Sequence, residues 1–403
     1  MSEKFKCLKC SLLFNAAPGP TQCPKCNHLY IEWLSFKEDW KFDLILNEWR
    51  KDMDKIKFFE NKKYKLCRSE DYNFNFNKQN GVFDRWGKTE KDDPDYAPFP
   101  EILDYEISTI CNGLGEPCKF CYKSNTSKGT YVTFETFKKV FHKIPKSLMQ
   151  VAFGIGDLDG NPDIWKILEY CRTNDYNKVV PNITINGYNL TDEYAENLAK
   201  YCGAVAVSRY NPKDVCYDAV KKLTDLGMTQ VNIHQLFSVE TLENCYEVIE
   251  DSLSDSRLAK MGCVVLLSLK PKGRGAAYHS VEKKEDVKNF IDFALDKKAK
   301  IGFDSCFAPV FIDAVKDHPD YEYFKEISEP CESSCFSCYI DVNSRYSPCS
   351  FCEDMPGIPS FNMLEVKNFT KEVWFNKEVN EFRKKLLNNN RKCPVFDIYK
   401  AIE

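Results

Sequence analysis

The sequence predicts an α/β protein built on a parallel sheet, with a small cysteine-rich module at either end. Three observations carry this expectation. From Glu101 to about Lys300, short β-branched runs alternate six times with amphipathic helical patterns. Strand–helix units in series argue for a parallel sheet covered by helices. Two Cys-x2-Cys pairs fall within the first 35 residues, and further cysteine groups crowd the last hundred. The 403 residues are enough for two or three domains. The expected divisions are 1–35, 36–100, 101–300 and 301–403.

Composition is ordinary for a soluble chain, 43% hydrophobic and 29% charged. A net charge of -4 supplies no global basic field for nucleic acid. No run of about 18 apolar residues is present, so no membrane partner is expected. Met-Ser-Glu-Lys-Phe-Lys-Cys at the amino terminus has no apolar export core, so a cytoplasmic location is expected. Twenty cysteines in a reducing compartment read as metal ligands where they cluster. Cys67, Cys171, Cys202, Cys216, Cys245 and Cys263 stand singly and read as small buried hydrophobes.

In chain order, Cys7-x2-Cys10 and Cys23-x2-Cys26 have the spacing of a zinc ribbon, a tetrahedral Zn2+ site of four thiolates. Asn15–Pro20 between them is a turn, and the metal is expected to hold so small a module together. Ribbons of this kind grip nucleic acids, peptides or neighbouring domains. Trp40, Leu44, Ile45, Trp49, Met53 and Ile56 have helical spacing, so a helix is expected across 39–59. Asp71–Pro100, rich in Asn, Asp, aromatics and Pro, reads as an irregular connection whose aromatics pack.

The six expected strands are Leu103–Ile110, Leu148–Phe153, Val179–Ile185, Ala204–Val207, Gln230–Leu236 and Val264–Leu269. Thr133 and Thr191 are expected to cap the first and third helices, and Asn161-Pro162 to open the second with a cap and a proline at its first position. Periodicity leaves two architectures open, a doubly wound sheet or a partial barrel. In both, ligands gather at the carboxyl ends of the strands.

The first strand runs into a loop carrying Cys111, Cys118 and Cys121. Three thiolates on one loop can hold three irons of a cubane and leave the fourth iron open to another ligand. Cys111-Asn112 and Cys118-Lys119-Phe120-Cys121-Tyr122 resemble the cluster loop of the radical S-adenosylmethionine (SAM) enzymes. That family spaces its cysteines Cys-x3-Cys-x2-Cys. Here the first gap holds six residues, and Gly113-Leu114-Gly115-Glu116-Pro117 reads as a looped-out insertion. The resemblance implies a [4Fe-4S] cluster with SAM on its open iron, and a (β/α)6 partial TIM barrel with this loop after its first strand. It further implies SAM contacts at Gly154, Gly156 and Asp157, which are similar to a Gly-Gly-Glu segment, and at Asn186, Ser208 and Arg209. Phe120 and Tyr122 would lie near the adenine. Lys270–Gly275 is a flexible basic loop similar to one in peptide-modifying members.

The tail carries Cys331-x3-Cys335-x2-Cys338, Cys349-x2-Cys352 and Cys393, with a β-hairpin expected across Tyr339–Pro348. This resembles the SPASM or twitch extension, with Ser344 where the family has glycine. The resemblance implies an auxiliary iron–sulfur cluster with ligands drawn from those six cysteines. Asp304 and Cys306, near the expected barrel mouth, are candidates for proton or hydrogen transfer. An electron donor such as flavodoxin or ferredoxin is implied too. The substrate class implied first is a peptide or protein. RNA or a small molecule is the alternative, with the ribbon holding nucleic acid. A zinc-binding interaction protein without catalysis is the third reading.

Overall fold

The computed structural model describes residues 56–89 and 91–402 in full, and four earlier strands by their backbone: β1 (Glu3–Cys7), β2 (Leu13–Ala16), β3 (Ile31–Trp33) and β4 (Lys41–Ile45). The chain divides into two compact units, Met1–Pro98 and Phe99–Glu403.

In the first unit β1 pairs antiparallel with β2 on one side and β3 on the other. Cys10, Cys23, Cys26 and the Cys7 side chain, the expected zinc ligands, lie outside the described residues. The helix expected across 39–59 is corrected at both of its described ends. β4 pairs antiparallel with β5 (Ile56–Glu60), and the sheet continues through β6 (Tyr64–Arg68), β7 (Asn73–Asn77) and β8 (Phe83–Trp86). Ile56 and Phe58 are buried around an exposed Lys57, a period of two. The apolar spacing that looked helical counted across two strands. Phe74 and Phe76, alternating with asparagines, likewise form a strand where an irregular segment was expected. Asn61 Oδ1 accepts from the Lys63 and Tyr64 amides at 2.8 and 2.7 Å and turns β5 into β6.

The second unit holds one ten-stranded sheet. Seven parallel strands come first: β9 (Ile102–Glu106), β10 (Gln150–Gly154), β11 (Val180–Ile185), β12 (Val205–Ser208), β13 (Val231–Phe237), β14 (Val264–Ser268) and β15 (Ile301–Phe303). The helices α1 (Phe134–Phe141), α2 (Ile164–Thr173), α3 (Asp192–Tyr201), α4 (Asp214–Asp225), α5 (Leu242–Ser254) and α6 (Lys284–Asp296) each follow one of the first six. Every strand from β9 to β15 lies beside its predecessor. A doubly wound sheet reverses direction at a switch point, whereas a barrel does not. The strand order is therefore that of the partial barrel.

Burial explains the winding. Along β13 the residues alternate between fully buried and half-buried. Val205, Ile233 and Val264 on successive strands join Val220, Val248 and Phe290 of the helices in one apolar core. Each such side chain contributes about 1.5–3 kcal/mol on burial. Thr133 and Thr191 cap α1 and α3, accepting from the amides of Thr136 and Tyr194, both at 3.2 Å. Asn161 does not cap α2, which begins at Ile164 after Asp163. Its Oδ1 still accepts from Asp163 N–H at 2.9 Å in the turn that opens the helix, while its amide donates to the carbonyls of Ile107 and Val132, at 2.8 and 3.0 Å.

After β15 come α7 (Ala308–Ala314) and α8 (Tyr321–Ile327). β16 (Ser337–Ile340) then adds in parallel to β9, and β17 (Arg345–Ser347) and β18 (Phe361–Asn362) extend the sheet antiparallel. The expected hairpin is β16–β17. Ser344 turns it with φ +63°, a conformation that glycine adopts at less cost. α9 (Lys377–Asn388) follows.

Candidate active site at the carboxyl end of the sheet

Beyond β9 the chain enters the cysteine loop, which is laced to the connection after β10. Asp157 N–H donates to Ile110 O at 2.9 Å, and Ser108 Oγ to Gly160 O at 2.8 Å. A Cβ on Gly156 would stand 2.1 Å from Ile110 O and 2.7 Å from Cys111 Cβ, so only glycine lets the two segments approach this closely. The Asp157 carboxylate accepts from Asn112 N (2.6 Å), Asn112 Nδ2 (3.0 Å) and Asn186 Nδ2 (2.8 Å), and lies 3.5 Å from Cys111 Sγ. Three expected site residues on three strand ends are thus joined: Cys111, Asp157 and Asn186. Gly113 and Gly115, at φ +65° and +98°, fold the inserted residues outward, and Gly115–Pro117 are exposed.

The basic loop after β14 was expected to be flexible. It instead clasps the cysteine loop. Arg274 Nε donates to Cys118 O at 2.8 Å, Arg274 Nη2 to Asn125 O at 3.0 Å and Arg274 N–H to Cys121 O at 3.0 Å. Gly273, at φ +58°, leaves room for the carbonyls of Cys121 and Tyr122.

Tyr210 lies beside the cysteine loop. Burial chiefly, and then Cys118, Cys121 and Cys111, drive its hydroxyl well above its ordinary value. Its ring packs on Phe120 with centroids 5.3 Å apart. Burial and then the Asp157 carboxylate push the Cys111 thiol up to about 12, while burial and then Cys121 raise Cys118 against the pull of Arg274. Such thiols stay protonated until a metal takes the place of the proton.

The remaining expected residues fall as follows. Ser208 lies at the end of β12, level with His234 on β13. Arg209 is buried: its Nη2 pairs with Glu247 on α5, while Nε and Nη1 are buried without a hydrogen-bond partner. Tyr122 turns to Phe351, with ring centroids 4.5 Å apart. Asp304 accepts the Phe307 amide at 3.0 Å and pairs with the buried Lys270.

Cys306 lines a cavity of about 140 Å³ together with Cys331, Cys349, Cys352 and Cys393. Cys335 and Cys338 do not line it, and Cys338 packs in the apolar core. Lys123 of the cysteine loop and the half-buried Lys272 of the basic loop tie this region to the loops at the end of the sheet. Lys123 pairs with Glu106 at 3.1 Å and with Glu353, and donates to Tyr339 Oη at 2.9 Å. Lys272 Nζ donates to Glu353 O at 3.1 Å. Sequence reading did not single out Tyr210, Lys123 or Glu353. Their partners lie far along the chain, and only the position of Tyr210 two residues past an expected contact hinted at a role.

Among the described residues no three His, Cys, Asp or Glu side chains converge on a single metal ion. A cubane asks for something different, one thiolate on each of several irons. Cys111, Cys118 and Cys121 are three thiols on one loop, all of them partly exposed.

No family model and no curated protein matches the sequence. The fold has solved counterparts. Histidine-tagged anSMEcpe with bound AdoMet aligns over 75% of this chain and 85% of its own, with a TM-score of 0.52 and 16% identity. Native anSMEcpe with bound AdoMet and the Cp18Cys peptide aligns over 74% and 88%, with a TM-score of 0.51 and 17% identity. Its complex with the Kp18Cys peptide aligns over 74% and 88%, with a TM-score of 0.52 and 15% identity. At these identities the likeness is one of fold.

Proposed function

We propose that this chain is a radical SAM enzyme that modifies a peptide or protein. The observation that carries the reading is the lacing of Cys111, Asp157 and Asn186 at the carboxyl ends of three adjacent strands, in a fold shared with an AdoMet-bound protein. Cys111, Cys118 and Cys121 would hold a [4Fe-4S] cluster. Bound there and reduced, the cluster would supply the one electron that splits SAM into methionine and a 5′-deoxyadenosyl radical able to take hydrogen from a substrate.

The protein's own residues do the rest. Asp157 fixes Cys111 and Asn112 against the sheet. Arg274 and Gly273 fix Cys118 and Cys121. Phe120, Tyr210 and Tyr278 form an aromatic wall beside the thiols. Lys270 and Asp304 stand at the end of the sheet as a buried ion pair. Peptide is favoured as substrate because the comparison protein is also known with peptides bound. A cluster in the tail cavity would complete the cofactor set. The expected zinc site and electron donor belong to the same reading.

The test is anaerobic reconstitution with iron and sulfide, followed by reduction with SAM. Release of 5′-deoxyadenosine by the wild type, and none by Cys118→Ala, is the expected result. A reconstituted protein with zinc at these thiols and no cleavage would end the reading.

A further inference from the structure

Five thiols line the tail cavity, and one of them belongs to no motif. Cys306 comes from the connection between β15 and α7, outside the cysteine-rich tail. Cys331, Cys349 and Cys393 reach the cavity from three other segments. Cys352 reaches it from the same tight turn as Cys349, since Cys352 N–H donates to Cys349 O at 3.3 Å. The Cys349 and Cys352 sulfurs are 3.4 Å apart, and Cys352 Sγ is also 3.4 Å from Cys349 O. That is the geometry of one thiol donating to its neighbour.

A cubane presents four irons pointing to four corners. Thiolates on different irons stand well apart, so Cys349 and Cys352 could serve two corners only if their 3.4 Å sulfur contact opened. Four segments offer one sulfur each: Cys306, Cys331, Cys349 and Cys393. Lys270 lines the same cavity and is the cation beside Cys306, so it offsets part of the charge of four thiolates. Val395, Phe396 and Ile398 are among the apolar walls.

We propose that Cys306 is a ligand of the auxiliary cluster, completing a set with Cys331, Cys349 and Cys393, and that Cys352 donates an S–H hydrogen bond to the Cys349 sulfur instead of binding iron. The proposal rests on the reading of this chain as an iron–sulfur protein. Hydrogen bonds to cluster sulfurs tune reduction potential, so the two roles give different signatures.

The experiment uses the full chain with Cys111, Cys118 and Cys121 all changed to Ala, so that any cluster iron counted belongs to the cavity. Reconstituted without oxygen, this parent is expected to hold about four irons and four sulfides per chain. Adding Cys306→Ser is expected to drop the count, or to leave a cluster with altered EPR g values. Adding Cys352→Ser is expected to keep the count and move the reduction potential. Cys335→Ser serves as the folding control, and circular dichroism is compared for every variant. Full iron with unchanged EPR in Cys306→Ser, or loss of iron in Cys352→Ser with its fold intact, overturns the assignment. No cluster iron in the parent overturns the auxiliary cluster itself. If Cys306→Ser unfolds, Cys306→Ala and Mössbauer spectra of the Cys352→Ser protein decide in its place.

Discussion

At Gly156 the chain has no room for a side chain. A methyl group there would meet backbone and Cys111 together, and neither can swing away. Gly156→Ala is expected to abolish iron binding at the cysteine loop while the far helices stay folded, read by iron analysis and circular dichroism. Asp157→Ala leaves the Asn112 and Asn186 donors without an acceptor. Asn112 is exposed and can turn to water, but the orphaned Asn186 amide is buried and costs about 1–3 kcal/mol, so the melting temperature should fall together with iron occupancy. His234 sets a pH dependence. Burial holds its imidazole down at about 4, against an ordinary 6.5, with Asp304 opposing. Between those values the unfolded chain binds the extra proton. Stability is therefore full above about pH 6.5 and declines as pH falls through about 4, by on the order of 3 kcal/mol. Melting curves across that window should show the slope in wild type and lose most of it in His234→Gln. At this scale the cysteine groups stand out in the sequence because their spacing is local. Arg274 and Lys123 were not, because what they hold stands about 150 and 230 residues away.

Elements were legible wherever one face alone is buried. The caps at Thr133 and Thr191 and the six strand–helix units could be read because amphipathic periodicity and capping chemistry are properties of a few neighbouring residues. The helix expected across 39–59 failed because apolar residues of two short strands can imitate a period of 3.6. Asn161 does two jobs: its oxygen accepts from Asp163 N–H where α2 opens, and its amide pins the chain after β9, which local sequence could not announce. The basic loop after β14 shows the same limit. Glycines and lysines signal an exposed connection, yet it is held by the carbonyls of the cysteine loop. Arg274→Ala removes two side-chain hydrogen bonds from that loop. It should raise the rate of iron loss to a chelator severalfold with little change in overall melting, whereas Arg274→Lys should restore only part of the difference.

On the scale of the whole second unit, the tail is part of the sheet that carries the site. β16 lies beside β9, and the Lys123–Glu106–Glu353 cluster ties the cysteine loop to the turn after Cys352. Removing one partner of a buried ion pair costs about 3–5 kcal/mol. Lys123→Met should therefore lower the melting temperature of the second unit, and the double variant with Glu353→Met should recover part of the loss. Nothing local in the sequence announces that a strand near residue 338 will pair with one near residue 104.

That pairing also decides what a shortened chain would do. With β16 in place, the backbone beneath the cysteine loop is bonded on both flanks. Cut the protein ahead of Ser337, and the amides and carbonyls of Ile102–Tyr105 would line a bare parallel border, a template for any other extended chain. Such a fragment should clump on expression, as light scattering would show, even though every loop cysteine remains in it. The extension thus also guards the rest of the sheet against self-association.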